Sequence, residues 1–168
     1  MQQLFLFTDG SVNTKSKIGY GAYLSIRKFD VPLENLKQLV KVRRFENTSS
    51  TKMELQILLW SLSEIDSAGK EIIIYTDSQN ITGLSGRRKR FEANNYRSNQ
   101  GKLLNNYLLY QEFFRLTDLL NCKFVKVSGH LVSERKDEID RIFTLVDRAS
   151  RNALRKDGSA FSGENIKV

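Results

Sequence analysis

Residues 71–79 of the chain read EIIIYTDSQ, and this stretch decides the fold class. Residues 71–75 are β-branched and apolar without alternation, which is typical of a strand that is covered on both faces. Such a strand belongs in the middle of a sheet with helices packed on both sides. Asp77 follows directly, so the sequence predicts a carboxylate at the end of a central strand.

The segment before this strand predicts an antiparallel meander. Residues 3–8 are a short apolar run that ends at Asp9-Gly10, the pattern of a strand followed by a turn. Residues 18–27 alternate in polarity, as a strand with one buried face does. Residues 36–45 indicate a third strand.

Helical periodicity surrounds the central strand. Residues 52–65 place Leu55, Leu58, Leu59, Leu62 and Ile65 on one face. Beyond the central strand we expect a short helix at 78–84, a loop at 94–100, a long helix at 103–120, a fifth strand at 122–127 and a final helix at 135–155. Strand–helix–strand crossovers give parallel neighbours. The prediction is therefore an α/β fold with a mixed five-stranded sheet, three antiparallel strands and then parallel additions, flanked by helices.

Composition limits the class of protein. The 168 residues carry a formal net charge of +8, which suits a polyanionic partner such as nucleic acid but also a merely soluble basic protein. A single cysteine, Cys122, favours a reducing, cytoplasmic location. No stretch approaches a membrane span. We expect one domain over residues 1–156, a flexible tail over 157–168, and a monomer without an obligate protein partner.

Three carboxylates are candidates for a metal site. Asp9 and Asp77 follow strands that should be parallel neighbours, and Glu54 lies in the first turn of the first long helix. Clustered carboxylates repel each other unless a divalent cation neutralises them, and hard oxygen ligands suit Mg²⁺ or Mn²⁺. Each also has a structural explanation, because Asp-Gly is a favoured turn and residues 51–54 fit a capping box in which Glu54 bonds the Thr51 amide.

Five motifs in order along the chain resemble type 1 ribonucleases H. They are FTDGS with GYGA in the first hairpin (residues 7–11 and 19–22), TKMEL (51–55), YTDSQ (75–79), VSGH (127–130) and VDRASR (146–151). The resemblance implies an endonuclease that cuts the RNA strand of RNA–DNA hybrids and leaves 5′-phosphate and 3′-hydroxyl ends. It also implies two Mg²⁺ ions, which Mn²⁺ can replace. The residues implied to hold them are Asp9, Glu54, Asp77 and Asp147, and His130 is implied to be a proton carrier.

The resemblance also implies the residues that bind the substrate. Ser50, Thr51 and Gln79 match positions that contact the minor groove of the hybrid, and Asn106 matches a residue near the DNA strand. The basic run of Arg87, Arg88, Lys89 and Arg90 resembles a protrusion that grips phosphates. A solvated charge run explains these four residues equally well.

The sequence leaves two alternatives open. Counted from His130, Asp140 has the usual spacing of the fourth carboxylate, whereas Asp147 has the better local match. We favour Asp147. The functional alternatives are an inactive nucleic-acid-binding module of the same fold and a nuclease of this fold that acts on another duplex.

Overall fold

The computed structural model describes residues 1–127 and 136–164. Its strands and helices follow one another as β1 (Gln2–Asn13), β2 (Ile18–Ile26), α1 (Leu33–Leu39), β3 (Lys41–Phe45), α2 (Ser50–Glu64), β4 (Lys70–Thr76), α3 (Gln79–Thr82), α4 (Leu84–Ala93), α5 (Tyr107–Leu119), β5 (Asn121–Lys126) and α6 (Lys136–Glu164).

The strands form one mixed sheet in the order β3-β2-β1-β4-β5. The pairs β1–β2 and β2–β3 are antiparallel, whereas β4 runs parallel to both β1 and β5. This arrangement confirms the predicted fold class.

Strand β4 is buried on both faces, as its sequence predicts. Ile72 and Ile74 join a core that includes α2, α4 and α5 on one side of the sheet. Ile73 and Tyr75 join a second core that includes α1 and α6 on the other side. The carboxyl end of β4 therefore opens between two helical layers.

The prediction of a third strand over residues 36–45 is wrong in its first half. Residues 33–39 form helix α1, and only Lys41–Phe45 is a strand. Leu36 is fully buried in the core that contains Ile139 and Ile142 of α6. Burial of this side chain against α6 stabilises the helix more than strand propensity stabilises the alternative.

Further boundaries differ from the sequence predictions. The helix predicted for residues 103–120 spans Tyr107–Leu119. The basic run at 87–90 lies within helix α4. Helix α6 continues past residue 155 to Glu164 because Asp157 accepts hydrogen bonds from the Tyr20 hydroxyl and from Arg44 Nε, both at 2.9 Å. The division into a domain of residues 1–156 and a tail stays a prediction. No helix in residues 1–127 and 136–164 is long and apolar enough to cross a bilayer.

Glycines on the first hairpin let helix α2 approach the sheet closely. A Cβ added at Gly21 would lie 2.8 Å from the Ile57 side chain, and one at Gly10 would lie 2.6 Å from Met53 Cγ. Both contacts are shorter than packed carbon atoms tolerate. These two positions therefore set the depth of α2, which carries Glu54.

We expect Gly21→Ala to lower the free energy of unfolding by about 1–3 kcal/mol, because the new methyl group displaces Ile57. Urea denaturation measures the change. Gly86→Ala is the matched control, since a Cβ at Gly86 meets no atom within 4 Å. That substitution lies in α4 and should stabilise the chain by about 0.5–1 kcal/mol. A loss of stability as large as that of Gly21→Ala would contradict the argument.

Candidate active site

Asp9 and Asp77 lie at the point where β1 and β4 part. Their parallel register runs to Phe7 opposite Tyr75, so the two carboxylates come two residues after the last pair. The sequence predicted that Asp9 ends its strand, and this prediction is wrong. It pairs with Ala22 while β1 continues along β2 to Asn13. Within residues 1–127 and 136–164, no strand continues the pairing on this side of β1 beyond the end of β4.

Asp147 joins this pair from helix α6. Its carboxyl group hydrogen-bonds the Asp9 carboxyl. Buried Ser150, one turn later, donates to the Asp147 carbonyl oxygen at 2.9 Å, and its Oγ lies 3.1 Å from Ser11 Oγ on β1. This serine contact fixes the turn of α6 that carries Asp147 against the strand that carries Asp9.

Glu54 approaches from α2 but is held to one side. The N-cap of α2 is Ser49, whose Oγ accepts from Lys52 N at 3.3 Å. Glu54 therefore does not serve a capping box at Thr51. Its Oε2 accepts a hydrogen bond of 2.7 Å from the hydroxyl of Ser78, which follows Asp77.

Burial and neighbouring carboxylates raise the pKa values of Asp9, Asp77 and Glu54. Burial, the charge of Asp77 and the hydrogen bond with Asp147 raise the pKa of Asp9 to about 8. Partial burial and the charge of Asp147 raise the pKa of Asp77, although Arg151 and Lys126 oppose this shift. Partial burial and Asp77 raise the pKa of Glu54, against the bond from Ser78. The folded chain therefore favours the protonated forms of these carboxyl groups more than the unfolded chain does.

This donor set suits a divalent cation by its chemistry. Every candidate ligand is a carboxylate oxygen, and these are the ligands that Mg²⁺ and Mn²⁺ prefer. Within residues 1–127 and 136–164, no three His, Cys, Asp or Glu side chains are grouped closely enough to hold an ion. The hydrogen bond from Ser78 holds the Glu54 carboxylate away from the other carboxylates. Asp9 in its protonated form can donate a hydrogen bond to Asp147.

The structure separates Asp147 from Asp140. Asp147 bonds Asp9 and acts on the pKa of Asp77. Asp140 lies about two helical turns earlier and is not among the charges that shift the pKa values of Asp9, Asp77 or Glu54. Geometry therefore favours Asp147 as the fourth carboxylate.

A cavity of about 440 Å³ lies on the α2 side and brings together three residues that the sequence singled out. Its lining consists of Ser49, Thr51, Arg87, Phe91, Leu104, Asn105, Asn106 and Tyr110. Ser50 and Gln79 lie outside it, exposed in the first turns of α2 and α3. We call this cavity the α2–α5 pocket.

The basic run does not act as one unit. Arg88 is bound by both oxygens of Asp118 at 2.7 and 2.8 Å and by Glu92 at 2.8 Å. Arg87 donates to the carbonyl and side-chain oxygens of Asn80 and keeps other donors for the pocket. Lys89 and Arg90 are exposed, and neither has a carboxylate partner in the described part of the chain.

His130 lies outside the described residues, together with Ser128 and Gly129. Its role as a proton carrier stays a prediction.

The comparisons with known proteins decide the family. The RNase H family model matches residues 1–147, a range that holds all four carboxylates.

This chain belongs to the RNase H family.

Ribonucleases H of several bacteria are similar to the chain over most of its length. That of Caldicellulosiruptor saccharolyticus is 26% identical over 144 residues, which cover 84% of this chain and 94% of the relative. That of Ruthia magnifica is 27% identical over 147 residues, which cover 86% and 95%. Family membership makes this RNase H homologue a nuclease of the hydrolase class.

A solved structure supports the fold. The foamy viral protease–reverse transcriptase in complex with double-stranded DNA has a TM-score of 0.62 at 10% sequence identity. The match covers 89% of this chain and 93% of that chain. At this level of identity the likeness concerns the RNase H fold alone.

Sequence reasoning missed three side chains of this RNase H homologue that position the site. Ser78 holds Glu54, and Arg151 Nε lies 2.9 Å from Asp147 Oδ1. Asn80 holds Arg87 through two oxygens. Only Arg151 had a signal in the sequence, because residues four apart on a helix are neighbours.

The raised pKa of Asp9 predicts how stability depends on pH without divalent ions. An unfolded Asp releases its proton near pH 4, whereas folded Asp9 keeps its proton to about pH 8. The folded state then binds more protons in this window, so the free energy of unfolding falls as pH rises from about 4 to 8. In EDTA at about pH 8.5, the free energy of unfolding of Asp9→Asn should exceed that of wild type by at least about 1 kcal/mol. At about pH 4 the two values should be nearly equal.

Urea denaturation at both pH values measures this difference. Asp140→Asn is the matched control, because Asp140 is not among the charges that raise the pKa of Asp9. Equal responses of the two variants at high pH would contradict the proposed crowding of carboxylates at Asp9.

Proposed function

We propose that this chain is an endoribonuclease that hydrolyses the RNA strand of RNA–DNA hybrids with two Mg²⁺ ions, and that Mn²⁺ can replace Mg²⁺. The observation that carries the proposal is the meeting of Asp9, Asp77 and Asp147 at the open end of the β1–β4 pairing, with Glu54 beside them. The products would be 5′-phosphate and 3′-hydroxyl ends.

The four carboxylates would hold the ions. When bound, a pair of divalent cations supplies the positive charge that activates water and stabilises the departing oxygen in phosphodiester hydrolysis. Asp9 must first lose the proton that its neighbours favour, and Glu54 must turn from Ser78 toward the other three. His130 would carry protons, because an imidazole titrates near neutral pH.

The polar residues around the site suit a duplex that contains RNA. Ser50, Thr51 and Gln79 lie in the first turns of α2 and α3; Ser50 and Gln79 are exposed, and Thr51 lines the α2–α5 pocket. Hydrogen bonds to 2′-hydroxyls distinguish RNA from DNA, and a wide minor groove presents them. We propose that these three residues make those contacts.

The α2–α5 pocket suits the phosphates of the other strand. Arg87 supplies charge and Asn106 and Thr51 supply polar groups within one cavity. Lys89 and Arg90 add exposed charge on the same helix, whereas Arg88 is engaged by carboxylates. The net charge of +8 favours association with the polyanion.

The proposal extends to the state of the protein in the cell. We propose a cytoplasmic monomer with no obligate protein partner. The single cysteine supports a reducing location, because the sequence offers no second cysteine for an internal disulfide.

The first experiment is cleavage of four end-labelled duplexes: RNA–DNA, RNA–RNA, DNA–DNA and DNA with one ribonucleotide. Each is incubated with Mg²⁺, with Mn²⁺ and with EDTA. We expect metal-dependent cleavage of the RNA strand in the hybrid alone. Asp9→Asn and Asp77→Asn should lower the rate by at least about 10³-fold, since each removes a charge on which the transition state depends.

Paired variants sharpen this test. Asp147→Asn should abolish cleavage and Asp140→Asn should leave it within about twofold, because only Asp147 contacts Asp9. Hybrid binding without cleavage in either metal would support an inactive module. Cleavage of a different duplex would keep the nuclease and replace its substrate.

The different bonding partners of Arg87 and Arg88 give a second prediction. Arg87→Ala should weaken hybrid binding about 10-fold, because it removes one charge-assisted hydrogen bond. It should also reduce the slope of log Kd against log salt concentration by about one, the release of one counterion. Arg88→Ala should change binding less than about twofold and lower stability by at most about 1 kcal/mol, since its partners are exposed carboxylates.

Fluorescence anisotropy measures both variants in an Asp9→Asn background, where the hybrid stays intact. A larger loss of binding for Arg88→Ala than for Arg87→Ala would contradict the assignment.

A further inference from the structure

Helix α6 carries three exposed arginines at intervals of seven residues. Arg141, Arg148 and Arg155 therefore lie on one face, away from the buried side chains Ile142 and Val146. None of the three has a carboxylate partner within residues 1–127 and 136–164. By contrast, four other arginines each pair with an acidic side chain, namely Arg44, Arg88, Arg115 and Arg151.

The helix gains nothing from this spacing. Arg151 lies three residues after Arg148 and four before Arg155, so like charges adjoin along the helix. Such neighbours destabilise a helix by a few tenths of a kcal/mol each. No acid stands three or four residues from Arg148 or Arg155 to offset the repulsion. Folding of the chain therefore does not explain these two charges.

Arg148 lies beside the carboxylate site and Arg155 lies beyond it toward the first hairpin, whereas Arg141 lies six residues before Asp147, toward the other end of the helix. Arg148 follows Asp147 directly, and Arg155 lies about 10 Å farther along the helix. Beyond Ser150, the helix runs beside the first hairpin: Leu154, Asp157 and Gly158 line a cavity of about 460 Å³ with Asn13, Ser16 and Ile18. Arg141 instead lines a cavity with Phe29 and Leu33, at the other end of the helix.

The hairpin continues the positive surface. Lys15 and Lys17 are exposed at its tip, where Asn13 holds the turn through the amides of Lys15 and Ser16. The Lys17 carbonyl accepts from Thr48 N, which precedes α2. We call Arg148, Arg155, Lys15 and Lys17 the α6–hairpin surface.

This surface and the α2–α5 pocket lie on opposite sides of the site. The pocket belongs to the layer of α2, α4 and α5, whereas α6 covers the other face of the sheet. A duplex held at the carboxylates by the pocket therefore extends, in the other direction, past the end of α6. Guanidinium groups suit its phosphates, because they keep their charge and donate in a fixed fork.

We propose that Arg148 and Arg155, with Lys15 and Lys17 of the hairpin, bind the phosphate backbone of the substrate duplex along a path that leads away from the cleavage site. The inference rests on the proposed function, since it takes the occupant of the carboxylate site to be a duplex. It adds a second anchoring surface, which gives more affinity to long duplexes than to short ones.

The test is the affinity of the Asp9→Asn chain for hybrids of about 8 and about 24 base pairs, measured by fluorescence anisotropy over a range of salt concentrations. Arg148→Ala with Arg155→Ala should raise the Kd of the long hybrid at least about 10-fold near 0.1 M salt and reduce the log–log salt slope by about 1–2. The Kd of the short hybrid should rise by a clearly smaller factor than that of the long hybrid. Arg148→Lys with Arg155→Lys should recover most of the affinity.

Arg141→Ala is the matched control, because it removes an equally exposed arginine from the same helix face away from the site. It should leave both affinities unchanged. An unchanged long-hybrid Kd in the double alanine variant, or equal losses for both lengths, would overturn the inference. Thermal melting confirms folding, and the alanine variant should melt no lower than wild type since repulsion is relieved.

The two proposals fail in different ways. If the wild-type chain cleaves no duplex but the length-dependent loss persists, the proposed reaction is wrong and the α6–hairpin surface stands. If cleavage of the hybrid is observed and binding shows no dependence on length, the surface is wrong and the reaction stands.

Discussion

The parallel pairing of β1 with β4 places two carboxylates side by side at the point where the pairing stops. Asp9 stays within β1, which β2 continues to support, and Asp77 leaves β4 at its end. The backbone of Asp9 is held by its pairing with Ala22, and Asp77 follows the last residue of β4. The register thus places like charges close together, and burial together with the charge of Asp77 raises the pKa of Asp9.

The other parts of the site depend on how closely two helices approach that pair. Glycines at positions 10 and 21 let Met53 and Ile57 of α2 lie against the hairpin, which brings Glu54 within reach of Ser78. Small Ser11 and Ser150 let α6 approach on the opposite face with Asp147. Residues without bulk, rather than the carboxylates themselves, therefore set the distances within the site.

The sequence predicts what depends on local pattern. The unbroken apolar run in β4 identified a strand buried on both faces, and the helical period of residues 52–65 placed Glu54 on α2. Helix α1 was missed, because seven residues carry too short a period and its stability comes from Leu36 packing on α6. The continuation of α6 was missed because Asp157 is held by Tyr20 and Arg44, more than 100 positions earlier. Asp118 likewise neutralises Arg88 from 30 positions away.

The Ser78 hydroxyl uses its two hydrogen-bonding capacities for different purposes. It donates its proton to Glu54, and its lone pair accepts from the Ile81 amide at the start of α3. Loss of the first bond leaves the second intact, so Glu54 can swing toward the other carboxylates while α3 keeps its beginning. Gln79, the first residue of that helix, then keeps its position. In the proposed mechanism, one oxygen atom therefore separates the movement of Glu54 from the placement of Gln79.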